Sequence, residues 1–218
     1  MQPQVKGRRY DNSARAAASQ ARRGQVLDAA RALFFERGYV RTTMAAVADR
    51  AQVSVDTVYE LVGRKADLFR LLIETAISGR DSAVPAEERS YVQEIHAEPT
   101  AAGKLRVYAD ALPSLLARLA PLIEVLQAAA SAEPALGDLW QEIGERRAQN
   151  MLRFAAELAE TGDLAVPVAE AADVMWATNS PEFYLLLVHR RGWSPEAYGA
   201  WLADTWQRLL LDPRRSRA

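Results

Sequence analysis

Imidazole is offered only at His96 and His189, and cysteine is absent. Without thiols there is no disulfide, no thiolate metal site and no cysteine nucleophile. The two histidines have no H-E-x-x-H setting and no partner at a ligand spacing, and neither a phosphate-cradling glycine loop nor a G-x-S-x-G elbow occurs. His189, followed by Arg190 and Arg191, suits the exposed carbonyls of a helix end. The chain is therefore read as a non-enzyme with no metal and no cofactor. What remains is recognition chemistry, concentrated in "TTMAAVADRAQVSVDTVYELVGRKADLF", residues 42–69. This stretch sets hydroxyls at Thr43, Ser54, Thr57 and Tyr59, carboxylates at Asp56 and Glu60, and an ammonium at Lys65.

These groups ride on two apolar-periodic runs of barely two turns each. Helices so short are marginal alone and gain stability only by packing on a third. The spacing points Val47, Ala48 and Val58 inward, with Val53 in the turn between them. The supporting helix is predicted from about Gln25 to Arg37, with an earlier start near Ser13 as an alternative; Val26, Ala29, Ala30, Leu33 and Phe34 share one face, and Gly38 suits its C-terminal cap. Thr42 or Thr43 caps a second helix at 44–51, Ser54 a third at 55–61, and a fourth follows at 65–78. That is a helix-turn-helix, whose second short helix is slim enough to enter a DNA major groove.

Residues 25–76 resemble the DNA-binding domain of the tetracycline-repressor-like (TetR) family. The resemblance lies in "VLDAARALFFERGYVRTTM" and "VADRAQVSVDTVYELVGRKADLF", over about a quarter of the chain. It implies that Thr43, Thr57 and Tyr59 contact phosphates, and that Lys65 holds another at the start of the fourth helix. It sets Val55 and Asp56 where bases are read and brings Met44 toward the groove. Three residues depart from the pattern: Gln52 stands at the turn position where glycine is usual, and Asp56 and Glu60 are acidic on the reading helix. The turn then needs a left-handed non-glycine residue or another geometry. Asp56 is able to accept a hydrogen bond from cytosine N4.

Charge is divided to match. Residues 1–70 hold 13 Lys/Arg against 7 Asp/Glu, and residues 71–218 hold 14 against 21. The basic part suits a polyanion. Residues 1–23 are expected as a flexible basic arm carrying Lys6, Arg8, Arg9, Arg15, Arg22 and Arg23, which either follows the DNA or serves as a solubilising tail. The DNA-binding domain is assigned to 24–79 and an effector-binding and dimerisation domain to 80–218. Residues 79–98 are expected as loop or weak helix, followed by helices near 100–117, 121–132, 135–160, 168–190 and 195–211, with Pro181 kinking or restarting the penultimate one. The fold class is all-α.

One domain covers one half-site, so a homodimer is expected, with reading helices about 34 Å apart. Its interface is expected through 168–190 and 195–211, using Val174, Leu185, Leu186, Val188, Tyr198, Trp201, Leu202, Thr205 and Leu209, a pair that also resembles the TetR dimer bundle. The resemblance implies an apolar small-molecule effector among the middle helices, with Glu124, Gln127 or Asn179 as polar groups that could orient it. No run approaches the roughly 18 apolar residues of a membrane span, and no secretory leader is recognised, so a cytoplasmic protein is expected. These readings converge on a ligand-responsive repressor binding a palindromic operator. A helical protein-interaction scaffold without DNA binding is the alternative.

Overall fold

The computed structural model describes residues 8–79 and 84–213, with side chains from residue 14 onward. Among these residues there is no sheet; one isolated antiparallel bridge joins Leu164 and Leu211. The helices are α1 (Arg8–Arg41), α2 (Met44–Ala51), α3 (Val55–Val62), α4 (Lys65–Ser78), α5 (Ser90–Ala97), α6 (Ala101–Ala130), α7 (Pro134–Glu160), α8 (Val168–Thr178), α9 (Pro181–Tyr184) and α10 (Pro195–Leu210). The chain divides into two compact units, Met1–Leu72 and Ile73–Ala218. The division falls inside α4 rather than at residue 79.

In the first unit α1 is broken at Gly38, whose φ of 73° only glycine adopts readily, so the helical run before it ends where the cap was expected. Its start differs. Residues 8–23, expected as part of a flexible arm, continue α1, because their Ala, Arg and Gln favour helix over loop. Lys6, the side chains of Arg8 and Arg9, and the "RRSRA" tail lie outside the described residues. Phe34, Tyr39 and Phe69 close the core, with ring centroids 5.1 to 5.5 Å apart. Around them Val26, Leu33, Val47, Val58 and Leu68 are each at most 1% exposed. At about 25 cal/mol per Å² of apolar surface, this cluster is what holds the two short helices folded.

The second unit is built around α6, which touches α5, α7, α9 and α10. It runs unbroken through both Pro113 and Pro121, where two helices were expected. Proline lacks the N–H that would bond four residues back, so the Ala109 carbonyl loses its helical partner at Pro113. Gly199 of α10 lies against that spot: a Cβ there would come within 2.9 Å of the Pro113 ring and 3.1 Å of the Ala109 oxygen. Within residues 79–98, expected as loop or weak helix, Ser90–Ala97 forms α5 and anchors through Ile95, 6% exposed. Helix 168–190 stops at Asn179 and restarts at Pro181 under a Ser180 cap, before a single π-helical stretch, Leu185–Arg190. Gly192 is left-handed, Ser194 accepts from Ala197 N, and Pro195 opens α10, as the sequence signals required.

Candidate nucleic-acid interface and internal cavity

The helix-turn-helix is held by local chemistry. Thr43 caps α2 by accepting from Ala46 N, and Ser54 caps α3 by accepting from Thr57 N, both at 3.1 Å. Between them Gln52 is left-handed at φ 56°, ψ 41°, and among the described residues it is the only non-glycine with positive φ. The turn thus keeps the geometry a glycine would give, at a cost of about 1–2 kcal/mol to a residue with a Cβ. Val58 and Val62 of α3 point inward, which leaves Val55, Asp56, Tyr59 and Glu60 exposed on the opposite face.

The expected contact residues fare differently. Val55 is 37% and Tyr59 46% exposed, and the Tyr59 hydroxyl has no partner among the described residues. Thr43 is exposed and retains its own O–H as a donor after capping. Thr57 is partly buried and its hydroxyl shares a hydrogen bond of 2.8 Å with that of Ser54, so one of its bonds serves the cap. Lys65 stands at the start of α4 with its Nζ 3.4 Å from the Val40 carbonyl and 4.1 Å over the Tyr39 ring. Those contacts position the ammonium there. Met44 is corrected: it is 8% exposed and packs into the first unit's core, so it cannot present itself to a groove.

Three features escaped sequence reading. Thr42 is buried and donates to the Leu33 and Gly38 carbonyls at 3.2 and 2.9 Å, tying the end of α1 to the start of α2. Arg50 forks onto Glu36 at 2.7 and 2.8 Å, and its hydrogen bond holds the Glu36 carboxyl below the usual range. Asp67 accepts from Arg64 N at 2.9 Å and crowds Gly63, where a Cβ would meet it at 2.8 Å. The last had a signal, an acid three residues after Arg64, the residue that precedes the helix.

In the second unit three of the nine residues expected at the dimer face are corrected. Leu185, Tyr198 and Leu202 are at most 7% exposed and belong to the monomer core. Tyr198 donates to the Thr178 carbonyl and Trp206 Nε1 to the Thr178 hydroxyl, both at 2.8 Å, which closes the C-terminal end of α8 against α10. Burial pushes the Tyr198 hydroxyl up, so it stays protonated for this role. Val174, Val188, Trp201 and Thr205 are partly buried; Leu186, Trp193 and Leu209 remain 45%, 37% and 55% exposed.

Between the middle helices and residues 84–91 lies an open cleft of about 510 Å³, within the usual range for small-ligand sites. Tyr108, Leu112 and Leu115 line it, whereas Leu122 and Leu126 are fully buried core. Of the polar groups considered, Asn179 lines it; Glu124 does not, and Gln127 donates to Glu182 at 2.6 Å. Elsewhere the buried Lys104 ammonium donates to the Ile95 carbonyl at 2.7 Å and to Glu157 at 2.6 Å. His96 also reaches Glu157, at 3.1 Å. No helix among the described residues is long and apolar enough to cross a membrane.

Residues 26–72 match the family described as "Bacterial regulatory proteins, tetR family". Over the N-terminal region the chain is 33% identical to the HTH-type transcriptional regulator HbdR of Aromatoleum sp. (strain CIB), covering 30% of this chain and 29% of that one. It is equally identical to the HTH-type transcriptional regulator TtgR of Pseudomonas putida, over 32% and 33%. The chain thus spans about a third of the length of the curated relatives it matches. Its fold extends much further. NalD, the secondary repressor of the MexAB-OprM multidrug efflux pump in Pseudomonas aeruginosa, superposes with a TM-score of 0.68 at 22% identity, over 90% of this chain and 99% of the other. SmeT of Stenotrophomonas maltophilia, solved as a triclosan complex, gives 0.69 at 20% identity, over 88% and 93%. Residues 26–72 thus carry a helix-turn-helix domain similar to that of the tetR family of bacterial regulatory proteins, and the chain as a whole shares the fold of NalD and SmeT.

Proposed function

We propose that this protein is a ligand-responsive transcriptional repressor that binds a palindromic operator as a homodimer and is released by a small molecule. The observation that carries the reading is the exposed face of α3, whose Val55, Asp56 and Tyr59 stand outward while Val58 and Val62 fix the helix from behind. An eight-residue helix with a bare outer face fits a major groove. Val55 and Asp56 read bases; Thr43, Thr57, Tyr59 and Lys65 grip phosphates. The excess of Lys/Arg in residues 1–70 supports the same partner. HbdR and TtgR, matched over this domain, are transcriptional regulators, which also favours a regulator over an enzyme.

Dimerisation is assigned to the segment from α8 to α10, where Leu186, Trp193 and Leu209 supply the exposed apolar surface. The effector is assigned to the cavity of the second unit, a reading supported by the triclosan bound to the neighbour SmeT. An effector that binds one arrangement better than another shifts operator affinity by its differential binding energy, about 1–3 kcal/mol in typical switches.

The test is retention of genomic DNA fragments by the purified protein, sequencing what is held. Tyr59→Ala and Lys65→Ala each weaken retention, and Lys65→Ala lowers the log–log salt slope by about 0.9. Retention that is absent at low salt, or indifferent to both substitutions, favours the helical scaffold instead.

A further inference from the structure

Helix α7 turns an apolar stripe inward through Ile143, Met151, Phe154 and Leu158. One turn before Met151 that stripe holds Arg147, which lines the cavity. Its surroundings are neutral. Arg147 Nη2 donates to Asn179 Oδ1 at 2.7 Å and to the Trp176 carbonyl at 2.9 Å, and the guanidinium lies 5.3 Å over the Trp176 ring. No acidic side chain pairs with it among the described residues; Glu182 acts on it only from beyond pairing distance and is itself engaged by Gln127. A partly buried guanidinium bonded only to neutral oxygens keeps its charge uncompensated, and an anion that reaches it gains a charge-assisted pair.

The network around it keeps a donor to spare. Guanidinium nitrogens only donate, so Asn179 must turn its oxygen to Arg147 and its NH₂ elsewhere. That NH₂ donates to the Tyr108 hydroxyl oxygen at 2.9 Å. Asn179, 4% exposed, is thereby locked, and Tyr108 is left with its O–H unspent at the cavity wall. The wider lining agrees: Arg89, Arg146, Arg147 and Arg153 stand against Glu74 and Glu87, in a part of the chain that is otherwise acidic. Arg89 and Arg153 also spend their bonds on neutral oxygens, those of Val84 and Asn150. Leucines of α6, with Ile77 and Ile143, contribute to the apolar remainder.

We propose that the effector is an anion, an apolar ring-sized body bearing a carboxylate or similar group that is bound by Arg147 and the Tyr108 hydroxyl. This rests on the cavity being the effector site. A fork of guanidinium donors matches a carboxylate in two bonds, and the partly buried setting of Arg147 strengthens them relative to water. A neutral isostere leaves the guanidinium unpaired, and a cation repels it.

Calorimetry on the full chain with three isosteres as probes, 2-naphthoate, 2-naphthamide and 2-naphthylmethylammonium, tests the charge preference directly. The carboxylate binds at least about tenfold more tightly than the amide, as expected for a charge-assisted hydrogen bond, and the ammonium more weakly still. Arg147→Gln abolishes the preference while leaving amide binding in place. Tyr108→Phe, which removes one oxygen only, weakens the carboxylate severalfold and not the amide, and gives a second reading should Arg147→Gln fail to fold. Equal binding of the three probes, binding of none, or a preference that survives both substitutions overturns the proposal. No DNA enters this measurement, so its failure leaves the DNA-binding reading standing, and absence of DNA retention leaves the charge preference standing.

Discussion

The two units place their polar side chains to different ends. In the helix-turn-helix unit Thr43, Ser54 and Asp67 sit at helix starts and bond backbone amides only a few residues away. In the long-helix unit Lys104, Arg147, Asn179 and Tyr198 lie within the packing and bond groups up to 71 positions distant. The first arrangement fixes where short helices begin and leaves their outer faces bare. The second fixes how long helices meet, and it leaves room between them for a ligand-sized space. A surface that must touch a rigid external partner is built from local rules, whereas an enclosed site requires polar groups brought together by tertiary packing.

That contrast is open to direct attack. The largest effect is expected from Phe34→Ala, which removes the ring that meets both Tyr39 and Phe69 in the first unit. A cavity of that kind costs about 3–5 kcal/mol. Hydrogen exchange should accelerate across α2 and α3 while amides around the fully buried Leu105 and Leu116 stay protected. Equal loss in both units would erase the distinction drawn above.

Next in size is Lys104→Met, which leaves the Ile95 carbonyl and Glu157 without their buried donor, at a cost of about 1–3 kcal/mol in chemical denaturation. Burial pushes the Glu157 carboxyl up, but its hydrogen bonds from Lys104 and His96 outweigh this and hold it below the usual carboxylate range. A depressed folded pKa adds stability that is present above the ordinary glutamate value and disappears as the pH falls through the lowered one. The acid limb of the stability curve should therefore flatten in Lys104→Met. An unchanged limb would mean that the pair is not coupled to folding.

The smallest effect sharpens the local side of the comparison. Gln52→Gly relieves the left-handed strain and should raise stability by about 1 kcal/mol, read as a higher denaturation midpoint with the slope unchanged. A loss instead would show that the Gln52 side chain holds the turn by contacts of its own.

Legibility in the sequence follows the same line. The bounds of α2 and α4, the Ser54, Ser194 and Pro195 starts and the Gly38 break were all readable, because each depends on residues within a turn of one another. Met44 was misread because the residue after a cap faces out or in according to where α1 lies, which no local signal states. Leu185, Tyr198 and Leu202 were given to a partner chain because an apolar helix face looks the same whether its own chain or another covers it. Arg147 did leave a mark, a charge in an apolar stripe on α7, but its meaning depends on Asn179 and Tyr108, which lie on other elements of the unit.

Pro113 and Gly199 bear on the mechanics of the second unit. With one rung of its ladder missing, α6 has a point of reduced stiffness close to Tyr108 and Leu112. The bare backbone of α10 lies against that point as a splint, so close that a Cβ at Gly199 would meet the Pro113 ring and the orphaned Ala109 oxygen. The wall of the cavity therefore has a built-in place to yield, and the amount it yields is limited by the one residue opposite that has no side chain.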